Sequence, residues 1–208
     1  MATRPANCCK AADYSPRPDH SAICPTHHSF HMTLIRPCLP PDLAVVTAIY
    51  AHQVLHGTGT FETEPPTLAE MTARRDDVLA KQLPYLVAED AGRIIGFAYC
   101  NWFKARPAYR YSAEDSIYVS PEAHGRGIGR ALLTELAASA DAAGVRKLIA
   151  VIGDSANLAS IGLHRSVGFE PVGVLTSCGW KFDRWLDVVL MEKVLGAGDQ
   201  CPPPGHGV

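Results

Sequence analysis

Apolar and polar residues change period several times between Met32 and Leu195, and each change marks an element. MTLIRP, residues 32–37, alternates as a half-buried strand does. PDLAVVTAIYAHQVLH, residues 41–56, has proline at its start and apolar side chains at helical spacing, which predicts a helix. TLAEMTARRDDVLAKQ, residues 67–82, predicts a second helix, with Thr67 three residues before Glu70 at the capping-box spacing. PYLVAED (84–90) and RIIGFAYCNWF (93–103) predict antiparallel strands joined at Ala91-Gly92, and SAEDSIYVS (112–120) predicts another strand, ended by Pro121. A glycine-rich stretch then leads into an amphipathic helix over 128–143, closed by Gly144. RKLIAVIG (146–153) predicts an apolar buried strand, and SANLASIGLHRSV (155–167) a helix capped by Gly168. FEPVGVLTSCG (169–179) and RWLDVVLMEKVL (184–195) complete the sheet. This order predicts a mixed α/β domain of the α+β kind and excludes the simple βαβ alternation of a dinucleotide-binding fold.

The flanks show neither period. Residues 1–31 are rich in Pro, Ala, Cys and His, and residues 196–208 contain three consecutive prolines. Both are expected to be disordered extensions of one domain spanning 32–195. Cys8, Cys9, Cys24, His27, His28 and His31 are zinc-ligand types. Only Cys24-x-x-His27 has a short ligand spacing, however, whereas a structural site pairs two such spacings, so no metal is expected. Met32 stands where the periodic pattern begins and is a candidate translation start. With 208 residues, 47% of them apolar and 19% charged, the chain can bury one ordinary core. A net charge of -2 gives no global basic field, so nucleic acid is not an expected partner. There is no apolar run of ~18 residues and no basic start followed by an apolar stretch, so a cytoplasmic protein without a membrane partner is expected. The seven cysteines, odd in number and scattered, are expected as reduced thiols.

His124-Gly125-Arg126-Gly127-Ile128-Gly129-Arg130 lies between a predicted strand and a predicted helix. Unpaired N–H groups and the helix dipole favour an anion at such a place. A P-loop needs Lys-Ser/Thr after its last glycine, and Arg130-Ala131 follows here. A dinucleotide fingerprint needs G-x-G-x-x-G, and the spacing here is G-x-G-x-G. The loop by itself leaves two readings: a pyrophosphate cradle, or a turn that lets helix and strand pack closely.

The stretch resembles the pattern of the GNAT superfamily of N-acetyltransferases: Arg or Gln, two residues, Gly, one residue, then Gly or Ala. His124 stands at the first position, a departure. NLASIGLHRSVGF is similar to the family segment in which an Asn precedes a helix ending in Gly-Phe. TFETEP (60–65), WFKARPAY (102–109), SAEDSIYVSP (112–121) and RWLDVVLM (184–191) resemble, in order, segments of its phosphinothricin and methionine sulfoximine acetyltransferase subgroup. The resemblance implies the GNAT fold, a mixed and mostly antiparallel sheet flanked by helices, with splayed strands forming an acetyl-CoA cleft. It implies acetyl transfer to the α-amino group of a small amino-acid analogue, and a homodimer. It also implies cofactor contacts from Tyr118, Val119, Ser120, His124, Gly125, Arg126, Gly127, Ile128, Gly129, Arg130, Asn157 and Ser160, with the Val119 N–H holding the acetyl carbonyl.

Acetyl transfer from a thioester to an amine needs an unprotonated amine, a polarised carbonyl and protonation of the leaving thiolate. Glu114 and Asp115 are neighbours on one predicted strand and face opposite sides, so only one can enter a site. The resemblance at AEDSIYV selects Glu114 as base; an exposed strand carboxylate is its other reading. His164 stands where many family members have tyrosine, and a group titrating near neutrality can protonate or position the sulfur. A helix-face histidine bonded to a neighbour remains its alternative. Lys104, Arg106 and Arg110 are expected to bind an anionic group of the substrate, with Phe61 and Tyr109 as pocket walls. Asp183 replaces the subgroup's usual Gly, so the turn before the last strand is expected to differ. Trp185 and Asp187 are expected to be structural or at a dimer contact. Two other functions stay open: acetylation of another amine (a protein N-terminus, lysine or polyamine), and an acyl-CoA-binding sensor without chemistry.

Overall fold

A computed structural model describes residues 33–203. The candidate zinc residues, Met32 and the first extension lie outside the described residues. Seven strands form one sheet: β1 (Leu34–Pro37), β2 (Tyr85–Asp90), β3 (Arg93–Trp102), β4 (Ser112–Val119), β5 (Lys147–Gly153), β6 (Glu170–Lys181) and β7 (Arg184–Val194). Four helices join them: α1 (Leu43–His56), α2 (Leu68–Ala80), α3 (Ile128–Ala142) and α4 (Leu158–Ser166). This is the predicted order, with three short 3-10 turns added at Pro40–Asp42, Pro107–Tyr109 and Pro121–Ala123. The strands lie in the order β1-β2-β3-β4-β5-β7-β6, and every neighbouring pair is antiparallel except β4 and β5. Residues 196–203 carry no strand or helix and turn on bonds such as Gly198 N–H to Leu195 O, 2.9 Å.

Local chemistry accounts for the helices. At the start of α2, Thr67 Oγ1 accepts the Glu70 N–H at 3.2 Å, and Glu70 Oε2 accepts the Thr67 N–H at 2.7 Å, completing the predicted capping box. α3 buries Leu132, Leu133, Leu136 and Ala140 on one stripe against the sheet.

The helices divide between the two faces of the sheet, and this division organises the site. The Tyr50 ring of α1 meets Tyr118 edge-on at 4.9 Å and Phe97 at 6.5 Å. On the other face, a Cβ at Gly96 would come within 3.2 Å of Leu132 on α3. Because alternate strand residues face opposite ways, Glu114, Ser116 and Tyr118 lie on the α1/α2 face, and Asp115, Ile117 and Val119 lie on the α3/α4 face.

β4 and β5 pair only from Ser112↔Lys147 to Glu114↔Ile149. β4 nevertheless stays paired with β3 as far as Val119, and β5 with β7 as far as Gly153, so the two strands part and leave a gap. This modifies the reading of β5 as a buried strand. Leu148, Ala150 and Ile152 are buried, while Ile149 and Val151 are only half buried, and Val151 lines the opening.

β6 and β7 form a hairpin whose two turn residues, Phe182 and Asp183, have φ of 52° and 54°. Two positive φ values give the twist that a tight hairpin needs, and Asp tolerates them better than most residues. Along β6, Val172, Val174, Leu175 and Trp180 are exposed, and Trp180 meets the exposed Trp185 edge-on at 5.4 Å. Asp187 accepts from the Ser155 hydroxyl at 2.6 Å and the Ser177 N–H at 2.9 Å, tying β7 to its neighbours, a structural position as expected. Among the described residues no helix is long and apolar enough to cross a membrane.

Candidate active site

Where β4 and β5 part, a cavity of about 930 Å³ reaches both faces of the sheet. Ser120 N–H bonds Ile95 O at 2.9 Å and Phe103 N–H bonds Ser112 O at 3.0 Å. With the β3–β4 register, these bonds put the even-numbered residues of β4 in the hydrogen-bonded pairs. The N–H groups of Ile117 and Val119 therefore point away from β3, into the gap.

On the α3/α4 face the cavity is closed by the glycine loop. Gly125 and Gly127 have φ of 74° and 78°, a region open to glycine, and nothing lies within 4 Å of a Cβ placed on either. The Ala131 N–H bonds Gly127 O at 3.1 Å as the first turn of α3, leaving the N–H groups of Ile128, Gly129 and Arg130 without helical acceptors. Gly129 has a different reason to be glycine: its Cβ would lie 3.1 Å from Leu163 on α4. The close-packing reading of the loop thus holds at Gly129, while Gly125 and Gly127 leave the space beside the free N–H groups open. His124 Nε2 sits 3.1 Å from Val119 O, and Asn157 caps α4 by accepting the Ser160 N–H at 3.2 Å.

Tyr118, Val119, His124, Gly125, Gly127, Ile128, Gly129, Asn157 and Ser160 all line this cavity. Three other expected cofactor contacts do not. Ser120 is buried, with its N–H on Ile95 and its hydroxyl on Glu122, so it closes the strand end. Arg126 pairs with Asp90 at the β2–β3 hairpin, and the Arg130 side chain is not among the lining groups.

Glu114 and Asp115 separate as strand alternation requires. Glu114 is half buried on the α1/α2 face and borders the cavity; burial and the nearby Asp115 charge raise its pKa, with Lys104 pulling back. Asp115 turns to the other face, where its Oδ2 lies 2.9 Å from His164 Nε2, and the two side chains are 2% and 3% exposed. His164 Nδ1 lies 2.8 Å from the Ser160 carbonyl, which can only accept, so Nδ1 carries a hydrogen and Nε2 shares one with Asp115. Burial draws the His164 pKa down, but the Asp115 hydrogen bond and charge, helped by the Ser160 carbonyl, leave it raised. Asp115 Oδ1 has no partner among the described residues. Both nitrogens of His164 are thus engaged within the protein.

The α1/α2 face is held by contacts with no sequence motif. The Tyr50 hydroxyl donates to Glu62 at 2.9 Å and lies 3.0 Å from Thr60 Oγ1, and Arg74 donates to Glu62 at 2.6 and 3.3 Å. Lys181 is buried and donates to the carbonyls of Gly57 and Thr60 at 2.9 and 2.8 Å, anchoring loop 57–62. Burial lowers its pKa. Phe61, on that loop, lines the cavity and rests on Gly153 and Gly179, where a Cβ would come within 2.9 and 2.3 Å of its ring. No sequence pattern singles out Tyr50, Glu62, Arg74 or Lys181: each looks like an ordinary helix, loop or strand residue, and their contacts are purely tertiary.

Lys104, Arg106 and Tyr109 are exposed on the β3–β4 loop and Arg110 is half exposed. Lys104 lies over the Phe103 ring at 4.7 Å, Tyr109 meets Phe103 edge-on at 5.9 Å, and Arg110 lies over Tyr111 at 4.7 Å. None of the four lines the cavity in this single chain. No cluster of three or more metal-ligating side chains occurs among the described residues.

Residues 47–169 match the acetyltransferase (GNAT) family. The chain is 51% identical over 162 residues to a phosphinothricin N-acetyltransferase of Alcaligenes faecalis, covering 78% of this chain and 82% of that relative. It is 38% identical over 162 residues to an L-methionine sulfoximine/L-methionine sulfone acetyltransferase of Pseudomonas aeruginosa, covering 77% and 94%. The crystal structure of a GNAT superfamily phosphinothricin acetyltransferase from Sinorhizobium meliloti, in complex with acetyl-CoA, superposes with a TM-score of 0.81 at 44% identity, covering 84% of this chain and 94% of that one. A parted sheet, a glycine loop at a helix start and these likenesses agree: the chain belongs to the acetyltransferase (GNAT) family.

Proposed function

We propose that the protein transfers the acetyl group of acetyl-CoA directly to the α-amino group of a small amino-acid analogue of the phosphinothricin, methionine sulfoximine or methionine sulfone type, with Glu114 as general base. One observation carries this reading: the gap between β4 and β5 has backbone donors facing a glycine loop on one face of the sheet and a desolvated carboxylate on the other. The likeness to a phosphinothricin N-acetyltransferase and to an L-methionine sulfoximine/L-methionine sulfone acetyltransferase supports the acceptor class.

Acetyl-CoA supplies an activated acetyl thioester. The unpaired N–H groups at the start of α3 suit its pyrophosphate, and Asn157 its pantetheine arm. His124, bonded to Val119 O, steadies the strand end, so cofactor binding falls to the backbone. The Val119 N–H is fixed in the gap before any reaction and would hold the acetyl carbonyl oxygen without reorganisation. Glu114 accepts the amine proton, directly or through water; as the N–C bond forms the thioester C–S bond breaks, and the departing thiolate takes up a proton from solvent. The raised pKa of Glu114 makes it a stronger base than an exposed carboxylate. His164 enters as a positioning group that ties α4 to β4 rather than as the proton donor, since both nitrogens are engaged. Lys104, whose charge acts on Glu114, would receive the acceptor's α-carboxylate with Arg106, Tyr109 and Arg110 of the same loop. These cations disfavour a polyamine acceptor. Phe61 walls the acceptor site. A homodimer belongs to the same reading, supported by the exposed apolar side chains of β6 and β7.

Glu114→Gln tests the base. The wild type should show a kcat/KM profile whose acid limb lies above the usual carboxylate range, because the Glu114 pKa is raised. The variant should lose most turnover, about a hundredfold or more, and what remains should climb with pH. Full activity of the variant at every pH would remove Glu114 from the mechanism.

A further inference from the structure

A second cavity of about 480 Å³ opens beneath α2 and lies next to the main one: Tyr99, Glu114 and Ser116 line both. Arg74 and Asp77 of α2 and Asn101 of β3 complete its polar wall. It lies on the acceptor face of the sheet, beside the proposed base and away from the glycine loop. We propose that Arg74 is a second anion-binding group of the acceptor site, receiving the acid at the far end of an amino-acid side chain, such as a phosphinate, while the amine lies at Glu114. The inference rests on the acceptor class proposed above.

Four observations support it. The Arg74 side chain is 40% exposed and so can be reached from this chamber. Its guanidinium has five N–H donors in a planar fork, and Glu62 accepts from two of its nitrogens, so the group can serve a second oxyanion. The competing carboxylate of the chamber, Asp77, is already engaged by Lys81 at 2.6 Å and Asn101 at 3.0 Å, so it does not meet an incoming anion unpaired. Glu114 borders both cavities, whereas Arg74 borders only the one beneath α2 and Lys104 stands on the exposed β3–β4 loop. In an amino acid the α-carboxylate is attached beside the amine and a side-chain acid stands farther off, so the first suits Lys104 and the second Arg74. The cavity is within the usual range for a small-molecule site, about 300–1,000 Å³.

Two acceptors isolate the effect. Phosphinothricin and methionine sulfone share the α-amino and α-carboxyl groups, but the distal group of the first is anionic and that of the second is neutral. The ratio of their kcat/KM values therefore reports on the distal group alone. In Arg74→Gln the ratio of phosphinothricin to sulfone should fall about tenfold or more, as loss of a charge-assisted hydrogen bond implies. Arg74→Lys should restore part of it. Glu62→Gln should raise the ratio, because it removes the anion that competes for Arg74. Arg74→Gln and Glu62→Gln break the same ion pair, so a merely structural pair would affect both acceptors alike and move the ratio in neither variant. An unchanged ratio in Arg74→Gln, or a fall in both variants, overturns the proposal. If Arg74→Gln does not fold, as judged by circular dichroism, Arg74→Lys and Glu62→Gln decide by the direction of their shifts. Wild-type protein that binds acetyl-CoA by calorimetry but acetylates neither compound would overturn the acceptor reading and this inference with it. Wild-type turnover of both with an unmoved ratio would overturn this inference alone.

Discussion

Removing the Asp115 carboxylate should destabilise the fold in a way that depends on pH. Asp115 and His164 are almost fully buried and join β4 to α4 at the point where the sheet begins to part. In Asp115→Ala, His164 Nε2 loses its partner inside the protein, and breaking a buried charged pair from one side costs about 3–5 kcal/mol. At ~2–4 °C per kcal/mol for a domain of this size, the midpoint should drop by roughly 6–20 °C. Asp115→Asn keeps the shape and can donate from its amide to a neutral His164 while Nδ1 still serves Ser160. It should lose only the charge-assisted part, about 1–2 kcal/mol. The sign of the pH effect follows from the raised His164 pKa. A raised folded-state pKa means that the folded protein holds the proton more tightly than the unfolded chain, whose histidine titrates near ~6.5. The stabilisation is complete below that value and is lost as pH rises through the folded-state pKa. The Asp115→Asn penalty should therefore be largest in mild acid and shrink toward pH 8 and above. Urea unfolding of wild type and both variants across that range measures it. An Asp115→Ala penalty below about 1 kcal/mol, or an Asp115→Asn penalty that grows with pH, would refute the reasoning.

Two other substitutions probe the loop over the acceptor face. A methyl group in Gly153→Ala would sit 2.0 Å from Thr58 O and 2.9 Å from the Phe61 ring, so loop 57–62 must lift. Overpacking of this kind costs about 1–3 kcal/mol, and steady-state kinetics should show a higher KM for the acceptor with acetyl-CoA affinity retained in calorimetry. Lys181→Met keeps the apolar stem but leaves the Gly57 and Thr60 carbonyls without their donor. The melting temperature should fall by an amount corresponding to about 1–3 kcal/mol, and an unchanged melt would mean that the lysine does not anchor the loop.

The elements were legible because their signals are local. The 3.6-residue stripe of α3, the Thr67–Glu70 box and the alternation of β4 need no knowledge of neighbours. That alternation also put Glu114 and Asp115 on opposite faces, as the pleat requires, but the cavity crosses the sheet, so both border it and the expectation that only one could do so fails. The gap was not legible from residue patterns, because it depends on where two strands 35 positions apart in register stop pairing. Lys181 was hidden for the same reason: its partners are 121 and 124 residues away. The basic loop shows the opposite limitation. Lys104, Arg106 and Arg110 stand out by composition, yet none lines the cavity of this chain, Lys104 and Arg110 lying over the half-buried Phe103 and Tyr111 rings, while Arg74, unremarked in its helix, borders a cavity. The β5 pattern misled in one respect: an apolar run implies cover on both faces, but a strand beside a cleft can be apolar to serve a ligand.

The N–H groups of Ile117 and Val119 face a space where an uninterrupted sheet would supply the next strand. A ligand that bonds to them completes the ladder, and so it acts on folding as well as on catalysis. By mass action, binding to the folded state alone adds about 2.7 kcal/mol at a hundred times the dissociation constant. On the proposed function, the resistance of this seam to unfolding and proteolysis should rise with the concentration of free acetyl-CoA.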